Sequence, residues 1–120
     1  MKMSQRRNAM IIPKSFQNGQ DFESMLLTSL LGTFIALKED LISLKQAENY
    51  WLSEFTEELF TQLKLSQETL DLVQRGIRLK EMEQYSPAYE QALDQLIADS
   101  KQLISRYYTE YDEQHAGIIN

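Results

Sequence analysis

The feature that most constrains this chain is a boundary, Ser86-Pro87, followed by a long apolar stripe. Serine is a favoured N-cap, and proline at the first helical position has no N–H to leave unsatisfied. Behind it Tyr89, Leu93, Leu96, Ile97, Leu103, Ile104, Tyr107 and Tyr111 recur at the helical period. The pattern predicts a helix over 87–113, about 40 Å long at 1.5 Å per residue. A spine of that length in a 120-residue chain leaves material only for shorter elements packed along it.

Those elements also read as helices. From Asp21, a plausible N-cap, Phe22, Met25, Leu26, Leu30, Phe34 and Leu37 follow at spacings of three and four. Leu27, Leu31 and Ile35 widen that face, so a helix over 21–39 is expected to be the most buried. Ser43-Leu44-Lys45-Gln46 has the form of a capping box and opens a segment over 43–63. Ser53, with Glu54, Glu57 and Glu58 behind it, offers a second cap, and the reading leans towards a break there. Ser66 opens a third segment over 67–84. Gly76 inside it costs about 1 kcal/mol relative to alanine, which points to a close contact or a kink. The expected fold is all-α, a compact bundle of four to five helices, with Leu30, Phe34, Leu93, Leu96 and Ile97 in its core.

Composition removes several function classes. With no cysteine, disulfide scaffolds, thiol nucleophiles and thiolate metal sites are excluded. A single histidine, His115, cannot supply the paired histidines of a zincin or the repeated Glu-x-x-His of a di-iron bundle. No G-x-S-x-G elbow occurs, so a serine hydrolase is unsupported as well. Glu54, Glu57 and Glu58 share a helix face, but the E-E-x-x-E run of small all-α nucleotide pyrophosphatases is incomplete, because Thr61 stands where the third acid belongs. A solvated acidic face explains the cluster. The chain is read as non-enzymatic, with no catalytic, cofactor or metal-binding residues.

The net charge of −6 is unevenly placed. Residues 1–20 carry Lys2, Arg6, Arg7 and Lys14 and no acid, while the rest carries 8 basic and 18 acidic side chains. The division drawn from this is a basic, mostly extended arm over 1–20 and a single helical domain over 21–120. An acidic body repels nucleic acid, so none is expected as a partner. The longest uncharged run, Ser24–Leu37, is 14 residues, below the roughly 18 that would suggest a membrane span. No stable membrane insertion is expected, and no signal peptide is recognised, so the address read is cytoplasmic.

Arg75, Arg78 and Lys80 form the one basic concentration in the body. Guanidinium forks pair well with carboxylates, which makes these three, with Arg6 and Arg7 of the arm, the candidate partner-binding residues. The competing reading is ion pairing with neighbouring acidic helices. The partner expected is a protein. Surplus apolar surface at Leu27, Leu31 and Ile35 also suggests a homodimer. Thr28, Gly32 and Ala36, at four-residue spacing, are expected to pack against the last helix, with a dimer seam as the alternative. Tyr50 and Trp51, like Tyr107, Tyr108 and Tyr111, suit either core or interface.

The segments Ser29-Leu30-Leu31-Gly32, Ala36-Leu37-Lys38, Leu41-Ile42-Ser43, Ala47-Glu48 and Leu70-Asp71-Leu72-Val73, with Gly76 and Leu79, resemble a family of short bacterial proteins described as a domain of unknown function. The resemblance spans roughly residues 25–105. It implies a compact helical protein of low-GC Gram-positive type bacteria and brings no active site with it. In size and helix count the chain is also similar to bacteriocin immunity proteins, which makes a membrane-acting bundle the alternative to a cytosolic interaction protein.

Overall fold

Three serines, Ser43, Ser53 and Ser66, each accept a backbone N–H three residues on, and a helix starts behind each of them. The computed structural model describes the backbone of residues 19–119 and the side chains of residues 22–107. In chain order the helices are α1 Gly19–Lys38, α2 Leu44–Tyr50, α3 Glu54–Gln62, α4 Gln67–Ile77 and α5 Pro87–Ile119, with a 3-10 turn at Arg78–Glu81. The all-α expectation holds, and no strand occurs among the described residues. Most of the arm expected over 1–20, with Arg6 and Arg7, lies outside them.

Local chemistry accounts for most boundaries. The capping box at Ser43 is complete, because Gln46 Oε1 accepts the Ser43 N–H at 2.8 Å while Ser43 Oγ accepts that of Gln46. Ser53 divides the 43–63 segment into α2 and α3. Ser86 Oγ accepts the Tyr89 N–H at 3.2 Å and starts α5. Three boundaries differ from expectation. Helix α1 begins at Gly19, so Asp21 is not its cap but lies in its first turn, where an acidic residue suits the helix dipole. Helix α4 stops at Ile77 and tightens into the 3-10 turn, which carries Leu79 into the core at 0% exposure. Helix α5 continues six residues past the expected end.

Two helices close without glycine. Asp40 (φ 60°) ends α1 and Lys64 (φ 59°) ends α3 in the left-handed region. At each end the next N–H returns to a carbonyl five residues back, Leu41 to Ala36 and Leu65 to Phe60, which satisfies carbonyls the helix leaves over.

The core lies where α1, α4 and α5 meet. Helix α5 runs antiparallel to α1, with Lys38 on Glu90 and Asp94 at one end and Tyr107 beside Glu23 at the other. Leu26, Leu27, Leu30, Phe34, Leu93 and Leu96 are buried between these elements, and Ile97 is partly buried at the margin. Helices α2 and α3 close the remaining side. There Trp51 and Phe60 pack with ring centroids 6.2 Å apart, and Leu52 meets Gly76. A Cβ on Gly76 would stand 2.7 Å from Leu52 Cδ2 and 3.1 Å from Phe34 Cε1, so the close contact expected at that glycine is present.

Two packing expectations change. Thr28 and Gly32 are exposed, and a Cβ on Gly32 would meet nothing within 4 Å. That stripe therefore does not pack on the last helix, because α1 turns its bulkier face inward. Leu27 is fully buried, which leaves only Leu31 and Ile35, both half-buried, of the surplus surface expected on α1.

Candidate functional site

Helix α4 and the 3-10 turn run alongside α5 with a furrow between them. At one end it is a concavity of about 440 Å³ flanked by Glu68, Asp71, Arg75, Asp99 and Arg106. At the other it is a somewhat smaller trough of about 380 Å³ lined by Arg75, Arg78 and Met82 on one wall and by Ala88, Ala92 and Gln95 on α5. Arg75 lines both and marks where they join.

Arg75 reaches across the furrow. Its guanidinium donates to Asp71 at 3.1 Å, one turn back on α4, and to Asp99 on α5 at 2.9 Å. Burial by itself would lower its pKa, but the hydrogen bonds it donates to Asp99 and Asp71, with the charges of those carboxylates, outweigh that and raise it above the ordinary arginine value. Arg106 bonds Glu68 at 2.7 Å further along. Pairs this exposed contribute at most about 1 kcal/mol each. Their effect is to hold the walls in register and to offset two of the three carboxylate charges of Glu68, Asp71 and Asp99 at that end.

Of the sequence candidates, Arg75 and Arg78 come together on one trough while Lys80 is exposed outside its lining. Arg75 has the ion pairs that the competing reading assigned to it. Arg78 is exposed and makes no ion pair or hydrogen bond among the described residues. Sequence reasoning missed Asp99, Met82, Ala88 and Ala92. The signal available was Ala88, Ala92 and Gln95 at spacings of four and three on the predicted spine, a small and polar stripe beside the apolar one.

Glu57 accepts a 2.8 Å hydrogen bond from Gln74 Nε2, while Glu54 and Glu58 are exposed. No group of three His, Asp or Glu side chains among the described residues is arranged to share a metal ion. The side chains of Tyr108, Tyr111 and His115 lie outside the described residues. Trp51 is partly buried against the core, whereas Tyr50 is 66% exposed. No helix of the described residues is long and apolar enough to cross a membrane.

Glu23 was also missed, and it is 6% exposed. Its carboxylate accepts the Ser66 N–H at 3.0 Å, the Ser66 hydroxyl at 2.6 Å and the Thr69 hydroxyl. The side chain thereby ties α1 to the start of α4, where the positive end of the helix dipole favours an anion. Tyr107 stands beside it, and burial, with the nearby Glu23 charge, leaves that phenol's pKa raised even though a hydrogen bond with Ser66 works the other way. With Oε2 accepting all three of these bonds, Glu23 serves the fold, and the furrow is the candidate site.

Comparison with known proteins gives a family and no activity. A family model described as "Protein of unknown function (DUF3969)" matches residues 17–119. No curated protein and no solved structure shows a significant match to the chain.

Proposed function

The chain belongs to the DUF3969 family of proteins of unknown function, and from that premise we propose that it is a non-catalytic, cytosolic interaction protein acting through a helical surface. The observation that carries this reading is a set of large apolar side chains left in solvent outside the buried core. Leu41 is 72% exposed, Tyr50 66%, Phe55 62% and Tyr85 59%. Tyr50 and Phe55 flank one short connection between α2 and α3, and Leu41 follows Asp40, to which Tyr85 is bonded. Each square ångström of such surface removed from water by a partner contributes roughly 25 cal/mol. Aromatic residues are also the type that anchors protein interfaces.

The test is native affinity capture of the full chain from its own cytosol, with stoichiometry read by quantitative mass spectrometry. A protein recovered near one-to-one, and reduced when Tyr50 and Phe55 are changed to serine, is the expected result. A chain that recovers nothing above the bait-free control, or whose catch is indifferent to those changes and to those at the furrow, overturns the reading.

A further inference from the structure

We infer that the trough formed by Arg78, Met82, Ala88 and Ala92 is a docking groove for an amphipathic helix of a partner protein, one that carries an acidic residue at the edge of its apolar face. This rests on the reading of the chain as an interaction protein and adds the surface and the chemistry of the partner.

Shape comes first. Ala88, Ala92 and Gln95 recur on α5 at spacings of four and three and so stand on one side of it, along the trough. They span about 10 Å of helix axis, two turns of a helix laid alongside. Alanines on that wall let a second backbone approach closely, since the short side chains leave a groove for the ridge of the incoming helix. Met82 rims the opposite wall at 37% exposure. A methionine thioether is flexible and polarizable, and it adapts to the side chain set against it. The walls are already held apart by α4 and α5, so docking does not require the bundle to open.

Charge then selects the partner. Among the described residues the trough has two cationic side chains, Arg75 and Arg78, and no carboxylate in its lining. Arg75 is satisfied by Asp71 and Asp99, which leaves Arg78 as the guanidinium available to an incoming group. Arg78 lies within residues 61–80, which carry a small positive balance in a body otherwise strongly acidic. A carboxylate on the docked helix meets Arg78 in a charge-assisted, bidentate geometry, whereas the acidic remainder of the body repels it elsewhere. A basic helix would be drawn to the acidic faces and would meet Arg78 as a like charge. The groove therefore discriminates by sign as well as by fit.

The experiment uses the full chain, isotopically labelled, and two synthetic 16-residue helical peptides. Both carry leucines at i, i+3, i+4 and i+7; one has glutamates beside the leucine face and the other has lysines at the same positions. The expected result is that the glutamate peptide binds at least tenfold more tightly and shifts the Ala88 and Ala92 amide signals and the Arg78 side-chain N–H. Substitution Arg78→Glu should reverse the preference between the peptides. Because Arg78 is exposed and unpaired among the described residues, that variant should melt with the parent chain, which separates a lost contact from a lost fold. Met82→Asp is the second variant and should weaken both peptides. Equal affinity for the two peptides, no binding of either at millimolar concentration, shifts confined to residues outside the trough, or a preference unchanged by Arg78→Glu would each overturn the inference. Any of those results together with stoichiometric capture of a partner from cells would remove the groove and leave the interaction reading standing.

Discussion

The Tyr85 phenol donates a 2.7 Å hydrogen bond to the Asp40 carboxylate, and both residues hold left-handed backbone, φ 68° and φ 60°. The bond ties the turn after α1 to the turn before α5. A non-glycine residue in this region is strained, and an aromatic one more so than an aspartate. Two strained turns are thus joined to each other, next to the exposed Leu41.

Asp40 should tolerate asparagine, which keeps an acceptor and adopts the left-handed region readily. Asp40→Val should cost about 1–2 kcal/mol from backbone strain alone, with the lost hydrogen bond added. Urea denaturation midpoints of the two variants check this, and equal midpoints would show that the turn does not need a left-handed residue.

Stability should fall in alkaline solution. Tyr85 is raised above the ordinary value of 10.0, chiefly by its hydrogen bond to Asp40, and Tyr89 and Tyr107 are raised chiefly by burial. Lys38 is raised above 10.5 by its hydrogen bonds to Glu90 and Asp94. A group that holds its proton more tightly in the folded chain contributes fully below its unfolded pKa. That contribution is lost as pH rises through the folded value. Denaturation midpoints should be flat between pH 8 and 9 and drop from about pH 10 upward. The Tyr85→Phe variant should lose one late-titrating phenol in the ultraviolet titration.

Substitution Gly76→Leu should destabilise. The new side chain enters space held by Leu52 and Phe34, both essentially without exposure. Overpacking costs about 1–3 kcal/mol, more than the roughly 1 kcal/mol of helix propensity regained. A variant more stable than the parent would mean that Leu52 swings aside at little cost.

Leu96 is 1% exposed, and Leu96→Ala should cost about 2–5 kcal/mol, depending on how far the cavity collapses. A loss below half a kilocalorie would place the α5 stripe at the surface.

Two buried polar residues should respond in opposite directions. Glu23→Ala leaves the Ser66 N–H and two hydroxyls without their acceptor and should cost about 1–3 kcal/mol. Ser100 is fully buried, and its Oγ has no hydrogen-bond partner among the described residues. Ser100→Ala removes that desolvated hydroxyl and should raise stability by about 1 kcal/mol. Calorimetric melting of the two variants, with shifts of opposite sign, is the check.

The sequence by itself determined where α2, α3, α4 and α5 start, though not where α1 does, and where the main apolar stripes lie. Ser43, Ser53, Ser66 and Ser86 act on N–H groups three residues away, and the stripe of Leu93 and Leu96 repeats within a turn or two. Such signals depend on backbone geometry common to every helix, so they are legible without knowing any neighbour. Gly76 was legible for the same reason, because a helix interior accepts the cost of glycine mainly where something packs against it.

Tertiary structure alone decided which polar groups meet. The bonds of Arg75 to Asp99, Glu23 to Ser66, Tyr85 to Asp40 and Lys38 to Glu90 join residues 24, 43, 45 and 52 positions apart. Each depends on how two helices, or the turns at their ends, are set against each other, which no local pattern encodes. The same crossing left Thr28 and Gly32 facing solvent, buried Glu23, and set Arg78 and Met82 opposite Ala88 and Ala92. The apolar stripes commit each helix to the core with one face. The polar residues on the other faces acquire partners, or a groove, only after the helices have docked.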